Sequence, residues 1–359
     1  MALTKEELIE YNVGENLDSL MNLDPRGYGV CRILYKGSRD YTGEPLSIHS
    51  AKELMKVVKP GDPVFIFVGF ILIPHKCPET DGMVSIMMLA RALVQAFGAK
   101  PIIVCPEESA RAVEQCAGVV GLHCYRDIKT VMELPLSMGV VAFTKIKNQA
   151  RQQAEQILSQ VTPAAAISVE CSGSNEEGVY HTALGFDVTD LEAKSDMFWE
   201  VLREKGVPTV AIGDLGNENG MAVIADHIKK YVPYTDKDQC QDGCKGGILA
   251  HTGADNIITA TCSDWGCYAL MAAISYLKRD KKVMPPEEMP AEVMRVLCRH
   301  NIVDMTGSLL PGVDGFDIRL NVLIMDLMRQ VTRYAIRYED PNDNWFGPVL
   351  KKGFFENHK

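Results

Sequence analysis

The chain has 359 residues, with 37 Lys and Arg against 47 Asp and Glu, which gives a formal net charge of -10 at pH 7. This acidic balance leaves no cationic excess to neutralise a phosphate backbone, so nucleic acid is excluded as the expected partner. Hydrophobic residues make up 47% of the chain, enough to bury a large core and to exclude global disorder. The most apolar stretch, residues 63–74, is far shorter than the ~20 residues that cross a bilayer, so we expect a buried strand there and no membrane partner.

Cysteine usage indicates a reducing compartment. The eleven cysteines are an odd number, and the first residues lack the basic and then apolar pattern of a secretion signal. We therefore predict a cytoplasmic protein with free thiols. The spacings between Cys240 and Cys244 and between Cys262 and Cys267 do not match a zinc ribbon, and we expect ordinary thiols at these positions.

The first segment of the chain reads as a helical arm. Apolar residues at Leu8, Leu17, Leu20 and Met21 predict one amphipathic helix, which is followed by a Pro/Gly-rich crossing at residues 24–29. We interpret residues 1–45 as an arm that packs on an α/β catalytic domain over residues 46–359.

From Ser47 onward, short apolar runs alternate with longer helical patterns, which predicts parallel strands joined by crossover helices. We expect a doubly wound, mostly parallel sheet with helices on both faces. The loop at residues 234–247 is a candidate lid. The predicted strands cover residues 64–68, 101–105, 139–143, 164–169, 209–212 and 257–260, and the predicted helices cover 84–97, 150–160, 196–205, 221–231, 265–278, 291–300 and 318–336.

Acidic or glycine-rich motifs follow several of the predicted strands, at residues 79–82, 170–173, 213–220 and 301–316. In open α/β sheets, ligands bind beyond the carboxyl ends of the strands, so these loops are expected to converge. Several carboxylates there would form an oxygen-rich pocket that suits Mg²⁺ or Mn²⁺, and no His-rich or CxxC pattern favours zinc.

The loop at residues 213–220 carries the densest set of polar residues. It contains two carboxylates and three glycines between a predicted strand and a predicted helix, and its backbone amides are expected to hold an anionic ligand or cofactor. The glycine spacing does not match GxGxxG, so a nicotinamide cofactor is not supported. The glycines are Gly213, Gly216 and Gly220, and the carboxylates are Asp214 and Glu218.

Local structural explanations remain open for several of these positions. Turn formation or helix capping accounts equally well for Asp214, Asn217 and residues 79–82, and an Asp-Gly turn is the simpler explanation for Asp314. Glu170 and Glu218 are harder to explain as turn residues. His181 is a candidate acid or base, with an ordinary core or surface histidine as the alternative.

Taken in chain order, these motifs resemble the D-glutamate cyclase-like C-terminal domain family. The motifs are residues 79–82, Glu170 with residues 178–180, the Ile-Gly-Asp-Leu-Gly-Asn-Glu-Asn-Gly-Met string at 212–221, Asp264-Trp265-Gly266 and Val313-Asp314-Gly315, and the resemblance covers about three quarters of the chain, residues 63–331. It implies an α/β domain with Mn²⁺ or Mg²⁺ held by acidic residues. It also implies conversion of D-glutamate to 5-oxo-D-proline, while phosphatase-like activity is also connected with the family.

The chain departs from the family pattern in two places. Residues 170–174 read Glu-Cys-Ser-Gly-Ser where the family has Glu-Arg-Pro-Gly-Arg, and residues 182–185 read Thr-Ala-Leu-Gly where it has Asn-Met-Arg-Gly. Three arginines are thereby absent. Arginine is the usual bidentate partner of carboxylates and phosphates. These departures therefore affect the expected substrate more than the expected metal site.

We expect a metal-dependent lyase that cyclises a small amino-dicarboxylate with loss of water. A metal-dependent phosphatase and a non-catalytic sensor of a small acid are the alternatives, so the expected partner is a small anionic metabolite, and a homo-oligomer is an open expectation. Glu170 is the expected base, with His181 as a second candidate, and Asn217 would orient the substrate. The expected metal ligands are Glu79, Asp81, Asp214, Glu218 and Asp314.

Overall fold

The computed structural model describes residues 3–73, 75–236, 239–244, 246–338, 343–353 and 355. The strands are β1 (Pro63–Gly69), β2 (Ile71–Leu72), β3 (Cys77–Pro78), β4 (Lys100–Cys105), β5 (His123–Tyr125), β6 (Ser137–Ala142), β7 (Ala165–Cys171), β8 (Thr209–Gly213), β9 (Asn256–Thr259), β10 (Gly312–Val313) and β11 (Phe316–Asp317). Seven of them form one sheet in the order β5-β6-β4-β1-β7-β8-β9, and all neighbours in it are parallel. The predicted doubly wound, parallel α/β fold is confirmed.

Helices cover both faces of this sheet. They are α1 (Lys5–Met21), α2 (Val30–Thr42), α3 (Leu46–Val57), α4 (Met83–Phe97), α5 (Glu107–Cys116), α6 (Ile128–Glu133), α7 (Lys147–Leu158), α8 (Ser195–Glu204), a 3-10 turn (Ala222–Ile224), α9 (Ala225–Tyr231), α10 (Ser263–Lys278), α11 (Met289–Arg299), α12 (Ile318–Tyr338) and α13 (Asp343–Leu350). Among the described helices, none is long and apolar enough to cross a membrane.

The central strand β1 shows why the sheet has two cores. Its residues are buried throughout, and successive side chains point to opposite faces of the sheet. Val64 and Ile66 belong to the core shared with α1, α3, α4, α10 and α12, whereas Phe65 and Phe67 belong to the core shared with α7 and α8. A strand covered on both faces is expected to be apolar along its whole length, as β1 is.

The apolar run at residues 63–73 is divided between two strands. β1 ends at Gly69, whose φ of 134° suits glycine, and the chain then turns back through the antiparallel pair β2 and β3. β1 contains the strand predicted at residues 64–68, and the rest of the apolar run enters β2. The turn sends the following acidic residues back towards the sheet edge.

The strand order reverses at β1, which positions the site. The chain moves from β1 to β4 on one side and later places β7 on the other side of β1. At such a switch point, the loops that leave neighbouring strands diverge and open a crevice at the carboxyl edge. The loops after β1, β7 and β8 meet at this crevice.

The N-terminal segment packs closely on the sheet. α1 begins with a capping box between Thr4 and Glu7, and its apolar face joins the core of the sheet. The buried carboxylate of Asp18 accepts the backbone N–H groups of Leu46 at 2.7 Å and Ser47 at 3.1 Å, which caps α3. Helices α2 and α3 were not predicted, and they form much of the contact between the N-terminal segment and the strand β9.

Candidate active site and metal centre

A cavity of about 430 Å³ opens at the carboxyl edge of the sheet. Five carboxylates line it: Glu79, Asp81, Glu170, Asp214 and Asp314. Glu79 and Asp81 follow the β2–β3 hairpin, Glu170 belongs to the end of β7, and Asp214 comes directly after β8. The predicted convergence of the loops after these strands is therefore observed in the structure.

Three of the carboxylates form the centre of this cluster. Oxygen atoms of Asp81, Glu170 and Asp214 all lie within 4.8 Å of one another, and the three residues are buried. Such a separation brings the oxygens within reach of a single hard cation, which binds oxygen ligands at about 2.0–2.6 Å. The cluster is thus compact enough to share one ion.

The carboxylate of Asp81 is held by backbone amides. Its oxygens accept N–H groups from Gly82 at 2.8 Å, Ser263 at 2.9 Å and Asp264 at 2.8 Å, and these amides begin the helices α4 and α10. Burial raises the pKa of Asp81 well above its ordinary value, and the carboxylates of Asp264 and Asp314 raise it further. The amides fix the direction of the carboxylate but leave lone pairs for a metal.

Glu170 has an unusual backbone conformation for a non-glycine residue. Its φ is 41°, and the hydroxyl of Ser263 donates a hydrogen bond to its Oε2 at 2.6 Å. Such conformations are costly and cluster at functional sites. Burial raises the pKa of Glu170 well above its ordinary value, with further contributions from Glu218 and Asp81.

Glu79 and Asp214 lack the hydrogen-bond donors that stabilise Asp81. Within the described part of the chain, no group donates a hydrogen bond to either carboxylate. Burial raises the pKa of Asp214 well above its ordinary value, and Glu170 and Asp314 add repulsion. Burial and the neighbouring Asp81 carboxylate likewise raise the pKa of Glu79 well above its ordinary value. A divalent cation in the cavity would stabilise the charged form of both acids.

Asp314 lies at the tip of a tight hairpin. Its φ of 53° and the φ of 79° at Gly315 fit the two-residue turn between β10 and β11. The Asp-Gly turn proposed as the simpler explanation is present, and the side chain of Asp314 also lines the cavity. Arg26 contacts its Oδ2 at 2.8 Å. Burial raises the pKa of Asp314, while Arg26 acts in the opposite direction.

The remaining walls of the cavity are mostly apolar. Among the described residues that line it, none is a lysine or an arginine. The apolar lining residues are Phe70, Ile71, Leu72, Ile73, Ala183, Leu184, Phe186, Leu215 and Met305. A ligand in this cavity would therefore contact acids on one side and hydrocarbon on the other.

Glu218 is placed differently from its expected role. It is fully buried, and its Oε1 accepts the N–H groups of Asp214 at 2.7 Å and Leu215 at 2.6 Å, while its Oε2 accepts that of Gly216 at 2.6 Å. It does not line the cavity. This geometry supports a role in shaping the loop rather than in binding a metal, which differs from the ligand role predicted for it.

The three glycines of this loop are packed against the protein. A Cβ atom at Gly213 would lie 2.5 Å from Cε of Met221, and one at Gly216 would lie 3.1 Å from Cγ2 of Ile228. One at Gly220 would collide with Ala211. None of the three lines the cavity, so the structure gives them a packing role in place of the predicted cofactor contact.

Asn217 and His181 are neighbours with different environments. Asn217 lines the cavity and donates a hydrogen bond from Nδ2 to the backbone carbonyl of His181 at 3.0 Å. The imidazole of His181 is directed instead to the thiols of Cys240 and Cys244. The predicted role of His181 as a base therefore receives no support from its position.

No described residue of the predicted lid at residues 234–247 lines the cavity, and residues 237, 238 and 245 of this loop lie outside the described part of the chain.

Sequence reasoning missed three residues that support the site. Arg26 from the N-terminal segment pairs with Asp314, Ser263 orients Glu170, and Asp264 accepts the N–H of Ser85 at 2.9 Å. The Asp-Trp-Gly motif at residues 264–266 was a signal for Asp264. Nothing in the spacing of the sequence signals Arg26, since it reaches Asp314 from 288 positions away.

The donor set fits a hard divalent cation. Asp81, Glu170 and Asp214 offer only oxygen ligands, as Mg²⁺ and Mn²⁺ prefer. Glu79 and Asp314 line the same cavity and can extend the set. The close approach of three carboxylates is the observation that favours an ion, because their mutual repulsion is otherwise costly.

Comparisons with known proteins identify the family to which the chain belongs. The sequence profile described as D-glutamate cyclase-like, C-terminal, matches residues 17–329. The mitochondrial D-glutamate cyclase of Homo sapiens is 23% identical over 269 residues, which cover 73% of this chain and 38% of that protein. This chain thus matches well under half the length of that relative. Because the profile covers most of its length, the chain belongs to the D-glutamate cyclase-like C-terminal family.

Proposed function

We propose that this protein is a metal-dependent lyase that converts D-glutamate, or a closely related amino-dicarboxylate, to its cyclic lactam. The observation that carries the proposal is the convergence of Asp81, Glu170 and Asp214 within 4.8 Å at the carboxyl edge of the sheet. Family membership and the relative named D-glutamate cyclase supply the substrate class.

In this proposal, Asp81 and Asp214 hold the metal, with Glu79 and Asp314 as further ligands. Glu170, the third member of the cluster, is left uncoordinated and acts on the substrate. A bound Mn²⁺ or Mg²⁺ would polarise the substrate carboxylate and neutralise developing negative charge. The amides that hold Asp81 keep its oxygens directed into the cavity before any ion arrives.

Glu170 is the proposed base. Cyclisation forms a bond from the amine nitrogen to C5 of glutamate and breaks a C5–O bond, and the net product besides the lactam is water. The ammonium must lose a proton before its nitrogen can attack, and the Glu170 carboxylate lies within 4.8 Å of those of Asp81 and Asp214, close enough to reach the amine of a substrate held at the metal. Ser263 orients the Oε2 atom, and Asn217 has a second amide hydrogen for the substrate.

The cavity walls support a small substrate with a hydrocarbon portion. Residues such as Leu72, Leu184 and Phe186 can pack against the methylene groups of an amino-dicarboxylate. No basic residue lines the described cavity, so the negative charges of a substrate would be balanced by the metal and by the substrate's own ammonium group. This arrangement favours an amino acid over a multiply charged phosphate ester.

The test is a cyclisation assay on the purified protein. The metal-free chain would be incubated with D-glutamate or L-glutamate, with and without Mn²⁺ or Mg²⁺, and chiral chromatography would follow 5-oxo-proline. We expect the D-product with a divalent ion present and a loss of roughly 10²–10⁴-fold in rate for Glu170→Gln. Asp40→Asn, a change at an exposed acid on α2, is the matched control.

Two other outcomes would replace the proposal. Phosphate release from a panel of small phosphorylated metabolites, without any lactam, would assign a phosphatase. Saturable binding of D-glutamate by calorimetry, without product over hours, would assign a sensor. Mn²⁺ binding by the cluster, measured separately, distinguishes a wrong substrate from a wrong metal site.

We also propose that the protein works in a reducing compartment and forms a homo-oligomer. The eleven cysteines are all unpaired in the structure, which supports a reducing compartment such as the cytoplasm. The proposed partner is a small anionic metabolite rather than nucleic acid or a membrane. Light scattering on the purified chain tests the expectation of a homo-oligomer.

A further inference from the structure

A second group of ligating side chains lies next to the acidic cavity. Nε2 of His181 is 3.0 Å from Sγ of Cys240 and 2.9 Å from Sγ of Cys244. The ligand atoms of all three residues lie within 4.8 Å of one another. The group joins two segments that are some sixty positions apart in the chain.

Hydrogen bonding alone does not explain this arrangement. An imidazole nitrogen has one lone pair in the ring plane, so it accepts one strong hydrogen bond. The Cys240 thiol can donate to the carbonyl of Gly185 at 3.4 Å, but one of the two short contacts between Nε2 and sulfur is then left without a hydrogen. If Nε2 instead carries the hydrogen, it can donate well to only one of the two sulfur atoms. Two sulfur atoms directed at one ring nitrogen form the pattern that a shared metal ion produces.

The surrounding backbone holds the three side chains in place. The N–H of Gln241 donates to the carbonyl of Gly185 at 2.8 Å, and the N–H of Asp187 donates to the carboxylate of Asp242 at 2.6 Å. Asn175 adds a bond from Nδ2 to the carbonyl of Gly247 at 2.7 Å. These bonds fix the segment that contains His181 against the segment that contains both cysteines.

The site needs little rearrangement to accept an ion. Zinc bonds of about 2.3 Å to sulfur and about 2.1 Å to nitrogen place such ligand atoms roughly 3.6 Å apart in a tetrahedron, so the observed contacts need to open by roughly 0.6 Å. His181 and Cys240 are buried, while Cys244 is partly exposed, which gives an ion a route in from solvent.

We propose that His181, Cys240 and Cys244 bind a thiophilic divalent cation of the zinc class, and that this ion clamps the segment at residues 175–187 to the segment at residues 239–244. Binding converts both thiols to thiolates and releases two protons to solvent, so the ion and its two thiolates are together neutral. One coordination position is left for solvent or for a further ligand.

The clamp has a structural consequence for the cavity. Thr182, Ala183, Leu184 and Phe186 follow His181 directly and line the cavity, and the carbonyl of His181 accepts the hydrogen bond from Asn217. The ion therefore fixes one wall of the pocket without contacting a ligand in it. This inference does not depend on the proposed lyase reaction.

Cobalt substitution tests the site on the whole chain. The protein is purified without oxygen in a metal-free buffer that contains a non-chelating reductant, and its zinc content is measured. Co²⁺ then replaces zinc, and the absorbance of the thiolate-to-cobalt charge transfer is recorded. We expect about one zinc ion per chain and a charge-transfer band that falls at least roughly tenfold in Cys240→Ser and Cys244→Ser.

Two controls separate this site from other ions and other thiols. Cys124→Ser changes a partly exposed cysteine on strand β5, and its band is expected to match that of the unchanged chain. Asp214→Asn alters the acidic cluster, and it should also keep the band because carboxylates give no thiolate charge transfer. Failure of the lyase assay would leave these results unaffected.

A measurement on the unchanged chain guards against variants that fail to fold. Addition of a thiol-specific mercurial should release the zinc into a colorimetric chelator, at about one ion per chain. Wild-type protein that takes up Co²⁺ without a thiolate band overturns the proposal. So does a Cys240–Cys244 disulfide found by mass spectrometry in protein kept free of oxygen.

Discussion

Asp81 and Asp264 cap each other's helices. The Asp81 carboxylate accepts the N–H groups of Ser263 and Asp264 at the start of α10, at 2.9 and 2.8 Å. The Asp264 carboxylate in turn accepts the N–H of Ser85 in the first turn of α4, at 2.9 Å. The positive ends of two helix dipoles therefore face the acidic cluster and lower the cost of its negative charge.

Replacement of Asp264 by alanine tests this reciprocal capping. The Ser85 N–H would lose its acceptor in a buried environment, so we expect the free energy of unfolding to fall by roughly 1–3 kcal/mol. Asp264→Asn keeps an acceptor and should lose less. Urea denaturation measures both, and equal losses in the two variants would contradict the capping role.

Asp214→Asn should change metal binding and stability in opposite directions. Mn²⁺ affinity is expected to fall at least about tenfold, or about 1.4 kcal/mol, because a ligand charge is lost. Stability without metal should stay equal or rise, since burial and Glu170 disfavour the charged form of Asp214. Calorimetry with Mn²⁺ and urea denaturation in a chelator give the two values, with Asp40→Asn as the exposed control. Unchanged affinity would remove Asp214 from the metal shell.

Glu218→Ala should act on stability first. Three backbone N–H groups would lose their charged acceptor in a buried loop, so we expect a loss of roughly 3 kcal/mol or more in the free energy of unfolding. Glu133→Ala, at an exposed position of α6, is the control and should have little effect. A folded Glu218→Ala variant of normal stability that cannot bind Mn²⁺ would instead restore Glu218 as a metal ligand.

Arg26→Met tests the connection between the N-terminal segment and the cavity. The change leaves Asp314 and the carbonyl of Thr261 without their partner, and we expect a loss of roughly 1–3 kcal/mol, reduced by the partial exposure of Arg26. Asp314→Asn in the same chain should recover part of that loss. A double-mutant cycle by urea denaturation measures the coupling, and Arg151→Met at an exposed pair is the control. Strictly additive losses would show that the pair is not coupled.

Buried acids should make the metal-free protein less stable as pH rises. Burial raises the pKa of Glu192 to about 7, above the value of ~4.3 expected in the unfolded chain. Between these values the folded state retains a proton that the unfolded state has released, so the free energy of unfolding falls with increasing pH. Glu192 alone contributes roughly 3 kcal/mol over this window.

Glu192→Gln provides the matched comparison. The stability of this variant, measured in chelator from pH 5 to 8, should depend less on pH than that of the unchanged chain. Part of the dependence should remain, because burial also raises the pKa of Asp264 to about 7. Added Mn²⁺ should stabilise the chain more at high pH, since ionised carboxylates bind it best. Identical pH profiles for the two chains would contradict the raised pKa of Glu192.

Local sequence determined the fold class and most of the site. Uninterrupted apolar runs predict strands that are covered on both faces. The acidic motifs that follow these strands must then lie at the carboxyl edge of the sheet. Glu79, Asp81, Glu170 and Asp214 were therefore predictable as neighbours. Helices α2 and α3 were missed, although α2 buries Cys31, Leu34 and Ser38 at the spacing of one helix face.

Only the tertiary structure decided which of the predicted residues face the cavity. Glu218 and Asp214 are four positions apart in one loop. The Glu218 carboxylate accepts backbone N–H groups of that loop, whereas the Asp214 carboxylate faces the cavity. Arg26 meets Asp314, and His181 meets Cys240 and Cys244, through chain packing that no local spacing encodes. Periodicity fixes the direction of a side chain within its own element, whereas partners distant in sequence are chosen by how the elements pack.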